Sequence, residues 1–305
     1  MEAHVTLLLG RSDLTRLLDV GVCLEAIRAG FTVPATDITP QRIRTDLPGQ
    51  AGTATTLIPG LIDGIPAYTV KVNAKFPAAR PALRGIVCLH DLATGELLAV
   101  LDSATITAWR TGLAAALGTH LLARNAARMV GVIGAGAQAE LVIRGLRALR
   151  PIDDLVVHDL LLERATAFGG RTAATPEAVA ARCDLVVLAT WSRAPLLTAK
   201  DVRPGMHLTS LGVDEPGKVE LAADLLHQAR VVVDDVELAA KSGTEHAAAT
   251  LAEVLQGRRP GRTRDDEITV YAPVGLPWQD LALSWVAYQA ARTATNVGLA
   301  YDWLS

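Results

Sequence analysis

Cysteine is scarce, and blocks of a single charge are missing. The 305 residues hold three cysteines, Cys23, Cys88 and Cys183. Their spacing suits no shared metal ion, and each lies in an apolar segment, so they read as small buried hydrophobes of a reducing compartment. The net charge is −3, which removes the basic face that nucleic acid or an anionic membrane would require of its partner. Charges are scattered singly, so no charged tail is visible. No uninterrupted apolar run approaches the roughly 20 residues of a membrane helix. The opening "MEAHVTLLLGRSDL" lacks the basic region and long apolar core of a signal peptide. Internal repeats and low-complexity tracts are missing too. The expectation is a soluble, cytoplasmic chain with no nucleic-acid or membrane partner. Half of its residues are hydrophobic, enough for one large core or two smaller ones, and two domains is the better reading.

What is present changes character near residue 121. Beyond it come short, nearly continuous apolar runs: "MVGVIG" (129–134), "DLVVHD" (154–159), "DLVVLAT" (184–190), "HLTSLG" (207–212), "ARVVVDD" (229–235) and "ITVYAP" (268–273). Such runs suit strands covered on both faces, as in a parallel sheet. Between them stand helical stretches such as "AQAELVIRGLRAL", and "TPEAVAARC" has Thr175 at an N-cap with Pro176 behind it. Strand and helix in alternation predict an α/β, doubly wound domain. The first 120 residues instead offer a helix, then extended segments, among them a hairpin around "ATGE". A helix rich in small residues (Gly112, Ala114, Ala115, Ala116, Gly118) follows, able to pack closely on a neighbour. An amphipathic helix, "WQDLALSWVAYQAARTATNVGLAYDWL", closes the chain, and "LQGRRPGRTRDDE" (255–267) reads as its most mobile loop.

"VGVIGAGAQAE" places Gly134, Gly136, Ala137, Gln138 and Ala139 directly after a strand and at the start of a helix. The first glycine permits a tight turn, the second lets backbone N–H groups approach a pyrophosphate, and the small third position allows helix–strand packing. The helix N-terminus adds partial positive charge. Asp159 ends the next strand about 20 residues on, where this fingerprint places the acid that binds ribose hydroxyls. A carboxylate there repels a 2′-phosphate, and Leu160 puts no arginine beside it, so NAD is expected. NADP remains possible because Arg164 lies one helical turn further. Thr111 and Thr190 are counted with the cofactor contacts.

Three cations of the first domain have unusual settings. Arg42 starts an extended segment, Lys71 lies inside the apolar "AYTVKVNAKFP", and Arg110 opens a helix of small apolar residues. Together they suggest a pocket for an anionic substrate such as a carboxylate. Another charge sits oddly: in "SLGVDEPGKVEL" the acid Asp214 stands just past a strand, before a Pro-Gly turn.

The combination resembles the ornithine cyclodeaminase/mu-crystallin family over essentially the whole chain. The resemblance rests on "PQRI", "VKVNAKFP", "DLATGELLAVLDSATITAWRTG", "VGVIGAGAQAE", "LGVDEPGKVEL" and "VGLPWQDLALSWVAYQAA". It implies a Rossmann-type domain over 121–277 and an α+β substrate and dimerisation domain over 1–120, to which 278–305 return. It also implies a homodimer, and chemistry at the carbon–nitrogen bond next to a carboxylate. Carried over, Arg42, Lys71 and Arg110 would bind the substrate carboxylate. Asp214 would be the acid/base, with Lys71 beside it as the other catalytic residue.

The sequence also departs from the family. Thr56 stands where ornithine-cyclising members are expected to carry a glutamate, and a hydroxyl cannot ion-pair an ammonium. Mu-crystallin-like members are expected to lack the Asp that this chain keeps. The reading is therefore an NAD(P)-dependent oxidoreductase of α-amino or α-imino acids, as a cyclic ketimine reductase or amino-acid dehydrogenase. The alternatives are an ornithine- or lysine-type cyclodeaminase and a non-catalytic, mu-crystallin-like binding protein. Trp109, Trp278 and Pro277 are candidates to frame the pocket, with core packing as the plainer role for each tryptophan.

Overall fold

The computed structural model describes residues 5–33, 42–48, 53–76, 79, 82–212, 217–244 and 246–302. The chain forms two compact units, Met1–Arg110 with Leu276–Ser305, and Thr111–Gly275. Elements are numbered along the whole chain.

The first unit contains strands β1 (Val5–Leu9), β2 (Ile43–Asp46), β3 (Ala54–Gly60), β4 (Ala67–Lys75), β5 (Leu83–Asp91), β6 (Leu97–Asp102) and, at the far end of the chain, β17 (Leu299–Asp302). They form one sheet in the order β17-β1-β6-β5-β4-β3-β2, antiparallel except where β1 runs parallel to β6. The expected hairpin joins β5 to β6, and Asp91 Oδ1 accepts the Ala93 and Thr94 N–H groups to hold its turn. Helices α1 (Arg11–Leu17), α2 (Val20–Thr32) and α10 (Pro277–Thr293) accompany the sheet. Asp19 caps α2 by accepting the Val22 N–H, and Cys23, Leu24, Ile27 and Phe31 form its buried stripe. Helix α10 packs on α2 and on β3, β4 and β5. Gly30 makes this approach possible, since a Cβ there would lie 2.2 Å from the Trp278 ring. Phe31 meets the same ring edge-on at 5.1 Å, so Trp278 is a packing residue between the helices. Trp109 is buried as well.

The two faces of this sheet differ. Paired across the strands, Ile58, Lys71, Val87 and Leu101 form a row on the α10 side, and all four are buried. On the opposite face Ile43, Leu57, Val72 and Ile86 form a parallel row. Ile43, Leu57 and Ile86 there are 55%, 41% and 42% exposed.

The second unit holds β7 (Met129–Ile133), β8 (Asp154–His158), β9 (Arg171–Thr172), β10 (Leu185–Leu188), β12 (His207–Ser210), β14 (Arg230–Val233), β15 (Ala249–Thr250) and β16 (Thr269–Tyr271). All are parallel, in the order β15-β14-β16-β12-β10-β7-β8-β9. A small second sheet pairs β11 (Arg193–Leu197) with β13 (Val219–Leu221). Strand order reverses between β7 and β10, the switch point at which doubly wound sheets bind ligands. The apolar runs are strands because helices cover both of their faces. Among those helices, α4 (Ala137–Leu149) buries Val142, Ile143 and Leu146, and α6 (Pro176–Ala180) starts where Thr175 accepts the Ala178 N–H. Helix α3 (Ser103–Leu122) uses its small residues as expected: Cβ atoms on Gly112 and Gly118 would lie 2.5 Å from Leu141 and 2.4 Å from Tyr271.

The loop 255–267 is held at one point, where the Arg262 guanidinium donates to the carbonyls of Leu122, Met206 and Glu267 and to Thr269 Oγ1. A single arginine thus satisfies carbonyls from three segments. Among the described residues no helix is long and apolar enough to cross a membrane.

Candidate active site

In the first unit the functional side chains gather on the α10 side of the sheet. Lys71 is 1% exposed, in a row otherwise made of Ile58, Val87 and Leu101. Its Nζ donates to Asp280 Oδ2 at 2.5 Å. Arg110 places Nε 3.4 Å from Asp280 Oδ1 and donates through a terminal nitrogen to Gln279 Oε1. One buried carboxylate therefore faces two cations. The Gln279 Nε2 group has no hydrogen-bond partner among the described residues, and Arg110 Nε makes an ion pair without hydrogen-bond geometry. Burial pulls the Lys71 ammonium down to about 8; Asp280 opposes this, while Arg110 and Arg42 reinforce it. Arg42 is exposed, immediately before β2, so it reaches Lys71 through its charge. Thr56 lies on β3 opposite Asn73, and neither residue of that pair ionises. The cluster carries excess positive charge, which burial makes costly and an incoming carboxylate would offset.

The second unit builds the glycine turn at its switch point. Gly134 has φ +93°, and a Cβ on it would lie 2.6 Å from the Ala189 carbonyl. Only glycine is comfortable there. Gly136 caps α4 without a side-chain hydrogen bond, and a Cβ on it would meet nothing within 4 Å. There is open space above a helix N-terminus, the setting that receives a phosphate. Ala139 is fully buried, as the small third position requires. Asp159 Oδ2 accepts the Ala135 N–H at 2.9 Å and Oδ1 accepts the Leu161 N–H. The acid is thus fixed at the turn, and an ionised carboxylate with two such bonds keeps acceptor capacity for a hydroxyl. Thr111 precedes Gly112, whose Cβ would lie 2.9 Å from the carbonyl of Gln138. That puts Thr111 beside the first turn of α4.

Thr190 follows β10, and its methyl would lie 2.9 Å from a Cβ on Gly134. Its N–H and hydroxyl both donate to Glu220 Oε1, at 2.6 and 2.7 Å. Glu220 is fully buried. Burial pushes its carboxyl above the usual range, and hydrogen bonds from Thr190, Ser210 and Gly212 oppose that.

The structure thus brings Lys71 and Arg110 together around Asp280, and groups Gly134, Gly136, Ala137, Gln138, Thr111, Asp159 and Thr190 at one turn. Asp214 belongs to 213–216, outside the described residues. The sequence reading missed Asp280, Gln279 and Glu220. A signal existed for each: an acid and an amide in the apolar first turn of the closing helix, and an acid inside the short run "VEL". Among the described residues no group of three or more His, Cys, Asp or Glu could hold a metal ion.

The model of the ornithine cyclodeaminase/mu-crystallin family matches residues 5–295. The chain belongs to this family. Among curated relatives, the alanine dehydrogenase of Archaeoglobus fulgidus is 35% identical over 237 residues, 72% of this chain and 73% of that one. A Delta(1)-pyrroline-2-carboxylate reductase of Bacillus cereus is 30% identical over 283 residues, 83% and 86% of the two chains. A solved archaeal alanine dehydrogenase dimer with bound NAD superposes with a TM-score of 0.90 at 29% identity, over 98% of this chain and all of that one. The α/β fold with its Rossmann-type parallel sheet is therefore that of the family.

Proposed function

We propose that the protein is a cytoplasmic, NAD-dependent oxidoreductase acting on the carbon–nitrogen bond of α-amino or α-imino acids, as a reductase of cyclic ketimines or an amino-acid dehydrogenase. The observation that carries this reading is the buried cluster in which Lys71 and Arg110 share the single carboxylate of Asp280. Its excess positive charge calls for a substrate carboxylate, with the Gln279 amide as a further donor. The glycine turn fits a dinucleotide: Gly134, Gly136, Ala137 and Gln138 would hold the pyrophosphate, and Asp159 the adenosine ribose. When bound, the nicotinamide supplies or accepts the hydride. Lys71, Arg110 and Arg42 bind and orient the carboxylate, and Asp280 keeps Lys71 charged. Asp214 exchanges a proton with the substrate nitrogen.

NAD is favoured over NADP because Asp159 presents an acceptor that would repel a 2′-phosphate. Thr56 offers no charge to a second ammonium, which favours these reactions over cyclisation of a diamine. The protein acts as a homodimer: the apolar row Ile43, Leu57, Val72 and Ile86 suits a second copy of the same sheet, and the related alanine dehydrogenase is a dimer.

The test is NADH consumption with pyrroline- or piperideine-2-carboxylate, beside NAD reduction with alanine, ornithine and lysine. Fast reduction of a cyclic imine supports the ketimine reductase, and oxidation of alanine supports the dehydrogenase. Conversion of a diamine to its cyclic product, with the other substrates inert, would overturn both.

A further inference from the structure

Glu220 is a buried acid that the proposed chemistry does not use. Its four hydrogen bonds link three places in the second unit. Oε1 accepts the Thr190 N–H and hydroxyl at 2.6 and 2.7 Å, and Oε2 accepts the Ser210 hydroxyl and the Gly212 N–H at 2.7 and 2.8 Å. Thr190 leans on the glycine turn, its methyl 2.9 Å from where a Cβ on Gly134 would stand. Ser210 ends β12, and Gly212 is the last residue before the segment 213–216 that carries Asp214. A Cβ on Gly212 would lie 2.5 Å from Glu220 Cδ, so any larger residue there displaces the carboxylate. The carboxylate itself comes from β13, just beyond that segment.

We propose that Glu220 is a positioning residue for Asp214: one carboxylate holds Ser210 and Gly212, which lead to Asp214 in the chain, together with Thr190 beside the phosphate-binding turn. This rests on the reading of Asp214 as the acid/base. A carboxylate suits the task because it accepts all four donors at once. A glutamine in its place turns an NH₂ toward two of them, so at least one contact becomes donor against donor. Burying an acid for closure alone would be poor economy, since an apolar side chain closes a core without desolvating a charge. Loss of the carboxylate should therefore reach the acid/base step through Ser210 and Gly212, and the cofactor contact through Thr190.

The test uses the full chain, with NADH and a cyclic imino acid followed in single turnovers so that slow variants are still measured. Glu220→Gln is expected to lower the reduction rate about 10- to 100-fold, the scale of a misplaced catalytic group. The NADH dissociation constant of each variant is read from tryptophan quenching and NADH is kept saturating, so that loosening of the cofactor through Thr190 does not enter the rate. On an Asp214→Asn background, Glu220→Gln should slow the reaction no further, because residues acting through one another are not additive. Ser210→Ala, which deletes one donor, should show a milder loss with the same collapse, and it serves where Glu220→Gln fails to fold. A Glu220→Gln enzyme as fast as wild type, or equal slowing on both backgrounds, overturns the assignment of Glu220 alone. Wild-type rates in Asp214→Asn overturn the acid/base reading and this proposal with it.

Discussion

Asp280→Asn tests whether the buried carboxylate keeps Lys71 charged for substrate. In the native cluster burial lowers the lysine to about 8, and Asp280 at 2.5 Å is the main opposing influence. An opposite charge at such range is worth about 1–3 pKa units, so removing it should carry the lysine down by that amount. With a two-unit shift, the protonated fraction at pH 7 falls from about nine-tenths to about one-tenth, and carboxylate capture falls about tenfold with it. The assay is kcat/KM for imino-acid reduction against pH, which reports groups of the free enzyme. The high-pH limb should break near 8 in wild type and at least about one unit lower in Asp280→Asn. Titration of the substrate is common to both enzymes and cancels in the comparison. Limbs that break at the same pH would refute the argument. Stability should carry the same signature. Lys71 sits at about 8 in the folded protein against an ordinary 10.5. Between those values the unfolded chain binds more protons, so the unfolding free energy rises with pH through this window. The penalty is complete below about 8, absent above 10.5, and about 3 kcal/mol in size.

Three further expectations follow from the geometry. Gly134→Ala forces a side chain onto φ +93° with its Cβ 2.6 Å from the Ala189 carbonyl; a cost of about 1–3 kcal/mol should weaken NADH binding about tenfold or more, as titration calorimetry would show. His207 is fully buried between Thr209 and Thr269, and burial lowers it to about 3 from 6.5. Below pH 6.5 the unfolded chain takes up a proton that the folded one refuses, so stability falls by about 1.4 kcal/mol per pH unit toward 3. In His207→Gln, denaturant melts should lose that slope. Ile86→Asp, in the exposed apolar row, should convert a dimer to a monomer in sedimentation and leave the monomer fold intact by circular dichroism; an unchanged dimer would place the interface elsewhere.

The parallel sheet was legible because its signal is local. The runs at 129–134, 154–159, 184–190, 207–212, 229–235 and 268–273 each contain a strand, since burial on both faces leaves a short apolar run that needs no partner to be recognised. The glycine turn was legible for the same reason, and so was the Thr175 cap. The pairing of the first sheet was not: β1 lies between β6 and β17, and nothing local in "VTLLL" names either partner. In the loop 255–267 glycine, proline and arginine mark solvated chain, and residues 257–260 and 263–266 are exposed, but the role of Arg262 was not legible. Arg262 instead spends its donors on three backbone segments, and composition does not distinguish an arginine facing water from one facing carbonyls.

The candidate site divided along the same line, and its division says something about how such sites are built. The cations stood out because a lysine inside an apolar strand breaks a pattern. The buried acids did not, since Asp280 lies 209 residues from the lysine it pairs with, and Glu220 lies 30 and 10 residues from Thr190 and Ser210. Each acid is buried, and each is stable only because distant segments bring donors to it. Their positions are therefore consequences of the completed fold, whereas the cations and the glycine turn are features of single segments. A residue that touches substrate can be read from its own neighbourhood. A residue that sets the charge or position of another can be read only once both ends of the contact are in place, which is why the two buried carboxylates are where substitution should be most informative.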